Sequence, residues 1–241
     1  MIGKERQATQ EALAVLSESL EALGGPKRDG EDSDKAKAAV EEASETPQDI
    51  SAMLKAEVDD LKDKSKQDFL VRDMGLPSSV FLACNFSSPS PSDIVYHALD
   101  TVRNTQQNKC RFCFRWFPVE YSCRADIESI QAMGKEVCKE FGEDKGRTEK
   151  TFSVDIEFRA KPKELERLDV IDAFAKNVSQ PPWKVDLTTP DLTVLVNVVK
   201  GTCGCAVVRE YRALKRYNLT LLAQADGEED EKEEAKTDDK E

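Results

Sequence analysis

Cys110 and Cys113, in Cys110-Arg111-Phe112-Cys113, are the first residues whose spacing could do chemistry. Such a pair serves zinc binding or disulfide exchange when both thiols reach one point. The run from Cys110 to Phe117 reads as an aromatic strand, and residues i and i+3 of a strand face opposite sides. No second ligand pair stands at zinc spacing, and His97 is the single histidine. Cys203 and Cys205 share a strand face, where small buried residues account for them better than a metal does. No Ser or Cys nucleophile motif accompanies His97. Gly201-Thr202-Cys203-Gly204 is not a phosphate loop, and no Gly-x-Gly-x-x-Gly follows a strand. The expectation is a chain with no metal, no cofactor and no catalytic residue of its own.

What remains is basic and aromatic. Lys109, Arg111 and Arg115 interleave with Phe112, Phe114 and Trp116, and Arg124 follows. Lys184, Lys200, Arg209, Arg212, Lys215 and Arg216 gather around the C-terminal strands. Such cations neutralise phosphates, and aromatic rings can stack on exposed bases. The three rings share a strand face and are expected in the core. The basic residues are the candidate RNA-binding set.

The elements that must position them follow from periodicity. Trp183 to Val208 reads as a strand, a turn, a long strand, a turn and a return strand. Leu192 to Val199 is apolar on both faces, which suits an interior strand. Thr151 to Arg159 alternates, with Phe152, Val154, Ile156 and Phe158 inward and Ser153, Asp155, Glu157 and Arg159 outward. Helices are expected over Glu11 to Leu23, after Thr46-Pro47, after Ser90-Pro91, over Ala125 to Phe141, and after Pro162, the last with Leu165, Leu168, Ile171 and Phe174 inward. Ser79 to Asn85 is a short strand, and a short basic helix follows Val208. The order predicts an α/β (α+β) protein in two halves joined near Gly142 to Lys150.

Composition limits the partners. The 241 residues are 34% charged with a net charge of −12. Residues 1–67 carry 10 basic and 16 acidic side chains, residues 68–222 carry 22 and 21, and residues 223–241 carry 3 and 10. The acidity sits at the ends, so an RNA-binding face on the balanced centre would be a local patch. Seven cysteines without an export signal suggest a reducing, intracellular setting: the nucleus, nucleolus included, or the cytoplasm. No apolar run approaches the roughly 20 residues of a membrane span.

Several short, ordered pieces carry a resemblance. They are Ile50 to Val58, Val80-Phe81-Leu82, Arg115-Trp116-Phe117-Pro118 and Cys123-Arg124-Ala125, then Val185-Asp186-Leu187 with Pro190, Val207 to Tyr211, and Tyr217-Asn218-Leu219. Together they resemble the THUMP-domain family of RNA-modification proteins, and among them the stand-alone tRNA adaptors of a cytidine acetyltransferase. The resemblance implies a ferredoxin-like N-terminal half followed by a THUMP domain, with disordered charged tails. Residues 1–49 would form a charged extension, 50–142 a helix plus the ferredoxin-like half, 143–222 the THUMP core (110–219 in the broad sense), and 223–241 an acidic tail. It implies binding of tRNA at the acceptor end. It further implies presentation of leucine and serine tRNAs to an RNA cytidine acetyltransferase, which forms N(4)-acetylcytidine in the D-arm. The chain itself would not be an enzyme. Two other classes stay open: an RNA-modifying enzyme with an unrecognised active site, and a protein-interaction scaffold built on the Glu11 to Leu23 helix and the acidic tail.

Overall fold

A computed structural model describes residues 3–27, 67–139, 150–160, 162–178 and 183–224. The helix expected after Thr46, most of the charged stretch before it, the connector from Gly142 and the acidic tail lie outside these residues. The chain divides into two units. One is Met1–Ala98 with Arg111–Cys113 and Pro118–Glu120; the other is Leu99–Cys110, Phe114–Phe117 and Tyr121–Glu241.

In the first unit, α1 spans Glu5–Ala22 and buries Ala8, Ala12, Leu16, Ser19 and Leu20. It begins a turn and a half earlier than the leucine spacing predicts, because the smaller Ala8 and Ala12 extend the same stripe. Gly24 and Gly25 end it at φ +96° and +79°, where the Gly25 N–H reaches the Leu20 carbonyl at 2.9 Å. Strands β1 (Phe69–Arg72) and β2 (Phe81–Cys84) pair antiparallel, and Phe69 meets Phe86 edge-on at 5.6 Å. This two-stranded sheet is what the described residues supply of the implied ferredoxin-like half. Helix α2 (Pro91–Thr105) is capped by the Ser90 hydroxyl, which accepts the Asp93 N–H at 3.1 Å. Its stripe of Ile94, Val95, Ala98, Leu99 and Val102 is buried, as the spacing predicts. The unit boundary falls within this helix.

The second unit is built on a five-stranded sheet in the order β3-β7-β6-β4-β5. The strands are β3 (Tyr121–Arg124), β4 (Lys150–Arg159), β5 (Trp183–Val185), β6 (Leu192–Val199) and β7 (Thr202–Arg209). β4 runs parallel to both β5 and β6, and β7 is antiparallel to β6 and β3. β6 is indeed interior, paired on both edges. The chain reaches it from β5 by crossing the start of β4. There the Asp186 N–H donates to Phe152 and the Asp191 N–H to Thr151, at 2.9 and 3.1 Å. The Asp186 carboxylate closes that turn on the N–H groups of Thr188 and Thr189.

One sheet face carries the main core. Phe152, Ile156, Val194, Val196, Val198, Cys203 and Cys205 pack with α3 (Ile127–Val137) and α4 (Arg167–Ala175) through Ile130, Met133, Val137, Val170 and Phe174. The Asp126 side chain caps α3 by accepting the Ser129 N–H at 2.9 Å. Burial pushes the Cys203 thiol up to about 12, so it holds almost no thiolate at neutral pH. Among the described residues no helix is long and apolar enough to cross a membrane.

Four expectations need correction. The boundary near residue 142 does not separate two cores, because β3 needs β7 as its ladder partner and α3 fills the core of the second unit. Residues 110–117 are not a strand; Arg115 alone makes a bridge, to Asn218, so the opposite-faces argument about Cys110 and Cys113 has no strand to rest on. Phe112, Phe114 and Trp116 accordingly share no buried face: Trp116 is buried, Phe112 half-buried and Phe114 41% exposed. Leu168, placed inward by its spacing, is 72% exposed because α4 starts only at Arg167 and its first turn overhangs the core.

Gly134 shows how closely α3 and α4 pack: an added Cβ would stand 2.2 Å from the Ala173 carbonyl oxygen, a backbone atom. Gly134→Ala is expected to lower the unfolding free energy by about 1–3 kcal/mol. Exposed Lys135→Ala should stay within about 0.5 kcal/mol of the parent. Urea unfolding compares them, and equal midpoints would contradict this packing.

Candidate nucleic-acid interface

Cross-strand partners point to the same face, so the register arranges side chains in rows. At one end of the sheet, on the face opposite the main core, the row is Arg159, Val199, Thr202 and Arg124. Lys200 caps this end in the β6–β7 turn at φ +51°, and its N–H donates to the Arg159 carbonyl at 3.0 Å. Arg124 is 86% exposed, with Asp126 3.8 Å away. Arg124, Arg159 and Lys200 therefore form one basic margin.

The next rows on that face begin with Glu157, Asp155 and Ser153. Their outward placement holds only in the sense of pointing away from the main core. Ser153 is buried and shares a 3.1 Å hydrogen bond with Thr193. Asp155 and Glu157 are half-buried. The segment after β7 covers them, burying Tyr211, Leu214, Tyr217 and Leu219.

That covering segment is not the expected basic helix. Residues 211–214 form turns, and Lys215, Arg216 and Tyr217 all adopt left-handed backbone, φ 50° to 58°. The conformation is costly for residues with a Cβ. Hydrogen bonds hold it: Arg216 N–H to Tyr211, Tyr217 N–H to Leu214, and Trp116 N–H to Tyr217, at 2.8, 2.9 and 3.1 Å. The Tyr217 hydroxyl donates to the Arg209 carbonyl at 3.0 Å. Glu210, also left-handed, is clamped by Arg103 at 2.6 Å, and Arg103 also pairs with Asp100.

Between sheet and cover lies a cavity of about 270 Å³, lined by Arg115, Asp155, Ile156, Glu157, Arg167, Leu195, Tyr211 and Arg216. Glu157 joins it to the basic margin, meeting Arg115 at 3.3 Å and Arg159 at 3.1 Å. Arg167 donates to the Ile156 carbonyl at 2.9 Å and stands 3.7 Å from Asp155. Arg216 makes no ion pair among the described residues. Burial first, then the Asp155 charge, pushes the Tyr211 phenol up to about 12, so it stays a neutral donor.

The ten candidate cations are thus dispersed. Arg124 and Lys200 share the margin, and Arg115 and Arg216 share the cavity. Arg209 pairs with Leu192, and Lys184 with Thr151, at the far end of the sheet, about 23 Å from the margin along the strands. Arg212 is half-buried, and its Nε is buried without a partner among the described residues. Lys215 is half-buried in the left-handed turn. Lys109 is exposed in the second unit. Arg111 belongs to the first, with its guanidinium 5.7 Å over the Phe112 ring. Sequence reading missed Arg159 and Arg167. Arg159 sits in the same alternating strand as Phe158, so its place in one row with Arg124 could be read only with the sheet order in hand.

Residues 124–208 match the THUMP domain family model, so the chain carries a THUMP domain. The match runs from the last residue of β3 almost to the end of β7. It therefore contains the basic margin and the sheet side of the cavity. THUMP domain-containing protein 1 of Bos taurus is 28% identical over 220 residues, 89% of this chain and 59% of that protein. The chain thus spans about six-tenths of the length of that relative. A Saccharomyces cerevisiae protein named tRNA acetyltransferase TAN1 is 24% identical over 251 residues, 94% of this chain and 83% of its own. The solution structure of the THUMP domain of THUMP domain-containing protein 1 aligns at 26% identity and a TM-score of 0.30, covering 34% of this chain and 84% of that one.

Because the folded state raises the Tyr211 pKa, its contribution to stability is complete below pH 10 and is lost as pH rises through about 12. Tyr211→Phe should therefore show a smaller alkaline loss of stability across that window. Urea midpoints measured at successive pH values test this; identical slopes for both proteins would place the phenol in solvent instead.

Proposed function

We propose, from the premise that this chain carries a THUMP domain, that it binds tRNA and presents it to a separate cytidine acetyltransferase. One observation carries the reading: within the matched residues, Arg124, Arg159 and Lys200 converge on one end of the sheet. Exposed cations in a row neutralise successive phosphates and set orientation without reading bases. The yeast relative's name supplies the reaction class. The chain's part is then to raise the local concentration of tRNA at its partner's active site, and the group transfer belongs to that partner. In this reading the acceptor end lies on the THUMP domain. Leucine and serine tRNAs are the cargo, N(4)-acetylcytidine in the D-arm is the product, and the complex works in the nucleus or cytoplasm.

Reversing Arg124 and Lys200 together to Glu should abolish tRNA binding at moderate salt, while far-ultraviolet circular dichroism stays unchanged. Reversing one phosphate contact is expected to lower the salt slope of binding by about one. Fluorescence anisotropy with labelled tRNA reads both effects, and undiminished affinity at low salt would remove the margin from the interface. In cells lacking this chain, nucleoside mass spectrometry should find acetylcytidine lost from tRNA and kept in ribosomal RNA. Loss from both would assign the chain to the enzyme itself.

A further inference from the structure

We propose that the cavity beneath the C-terminal segment is a binding site for a single phosphate group, with Arg216 and Arg115 as its cationic walls and the Tyr211 hydroxyl as its neutral donor. As a site for RNA it rests on the tRNA-binding reading above; as a phosphate site it stands on the cavity alone. The volume of about 270 Å³ far exceeds the roughly 10–15 Å³ that one water needs on the same measure. Three arginines face two carboxylates across it, leaving an excess of positive charge in a partly enclosed space.

The pairing inside the cavity is loose. Good charge-assisted N–H···O contacts lie near 2.7–2.9 Å. Arg115 stands 3.3 Å from Glu157, and Arg167 stands 3.7 Å from Asp155. Each guanidinium has five N–H donors, so most of them are unspent here. Arg216 has no carboxylate partner among the described residues. Tyr211 is 3% exposed, lines the cavity, and its hydroxyl has no hydrogen-bond partner among the described residues. The unprotonated oxygens of a phosphate group are acceptors only, and they fit a wall of arginine and phenol donors.

The backbone adds a second, independent observation. Three consecutive left-handed residues carry Arg216 at the cavity, and the cost is held by the hydrogen bonds of Tyr217 and its neighbours. Strain that the surroundings over-determine is characteristic of positions where a side chain must be aimed. Glu157 then acts as a place-holder. It is shared by Arg115 and Arg159, so an incoming phosphate can take Arg115 while Glu157 keeps Arg159.

The ligand phosphate could belong to the RNA backbone or to a free phosphate compound, and the test separates them. Arginine Nε–Hε signals of the ¹⁵N-labelled full chain would be followed during titration with inorganic phosphate, beside sodium chloride at matched ionic strength. The expected result is saturable movement of Arg115 and Arg216 with phosphate and not with chloride. Arg216→Gln should abolish it, Tyr211→Phe should weaken it, and Glu157→Gln should move half-saturation to lower phosphate. If Arg216→Gln fails to fold, the other two variants decide the matter. With labelled tRNA, Arg216→Gln should lose about tenfold in affinity and about one unit of salt slope. Equal response to chloride, or weaker phosphate binding in Glu157→Gln, would overturn the site. Wild-type protein that binds tRNA while Arg216→Gln binds it equally well would exclude RNA from the cavity, assign the site to a free phosphate compound, and leave the tRNA reading standing. Wild-type protein that binds phosphate but no tRNA would keep the site, assign it to a free phosphate compound, and overturn the tRNA reading.

Discussion

Strand β4 pairs with β6 over nearly its whole length and with β5 at its start, and the face that carries Ser153, Asp155 and Glu157 is polar throughout although the segment after β7 covers much of it. A polar group removed from water costs about 1–3 kcal/mol if left without a partner, and a charge costs more. The local arrangement follows from meeting that demand. Ser153 takes Thr193, Asp155 draws Arg167 from the first turn of α4, and Glu157 draws both Arg115 and its own strand neighbour Arg159. The carboxylates thus act as anchors that bring arginines from separate segments to one face.

The segment after β7 sets how far that face is closed. The buried rings of Tyr217 and Tyr211 meet at 5.5 Å, tilted by 60°, and the backbone around them is left-handed at four positions between Glu210 and Tyr217. Arg103 fixes the start of the segment through Glu210, and the backbone of Phe114 and Trp116 fixes its end. Its path leaves room over Asp155 and Leu195 where a helix with standard dihedrals would present a different set of side chains. Arg115 and Arg216 lie outside the matched THUMP residues 124–208, so the cavity is walled partly by the matched sheet and partly by the chain on either side of it.

On the proposed reading, margin and cavity would divide the physical work of holding a polyanion. Exposed groups such as Arg124 act through counterion release and lose strength as salt rises. Arg115, with 39% of its side chain exposed against 86% for Arg124, is screened less and depends more on geometry. Glu157 touches both sets, so occupation of the cavity and the position of Arg159 on the margin are mechanically linked.

Much of the second unit was legible in the residues. The apolar, β-branched run Leu192 to Val199 determined an interior strand, because only a position paired on both edges buries both faces. The stripe of α2 and the alternation of β4 likewise determined helix and strand, and the quoted motifs pointed to the THUMP domain. The run from Cys110 to Phe117 misled. Its aromatic composition favours a strand, but its backbone bonds go to the segment around Tyr217 and Leu219 instead, a pairing about a hundred residues away in the chain. The basic residues could be named but not grouped. Which cations share a surface depends on strand order and register, and β3-β7-β6-β4-β5 puts Arg124 and Arg159 in one row, with β7 and β6 between them, while sending Arg209 and Lys184 to the far end. The sequence by itself determined which elements form, because periodicity is a local property. The tertiary structure alone decided which charges meet, because that is settled by contacts between residues far apart in the chain.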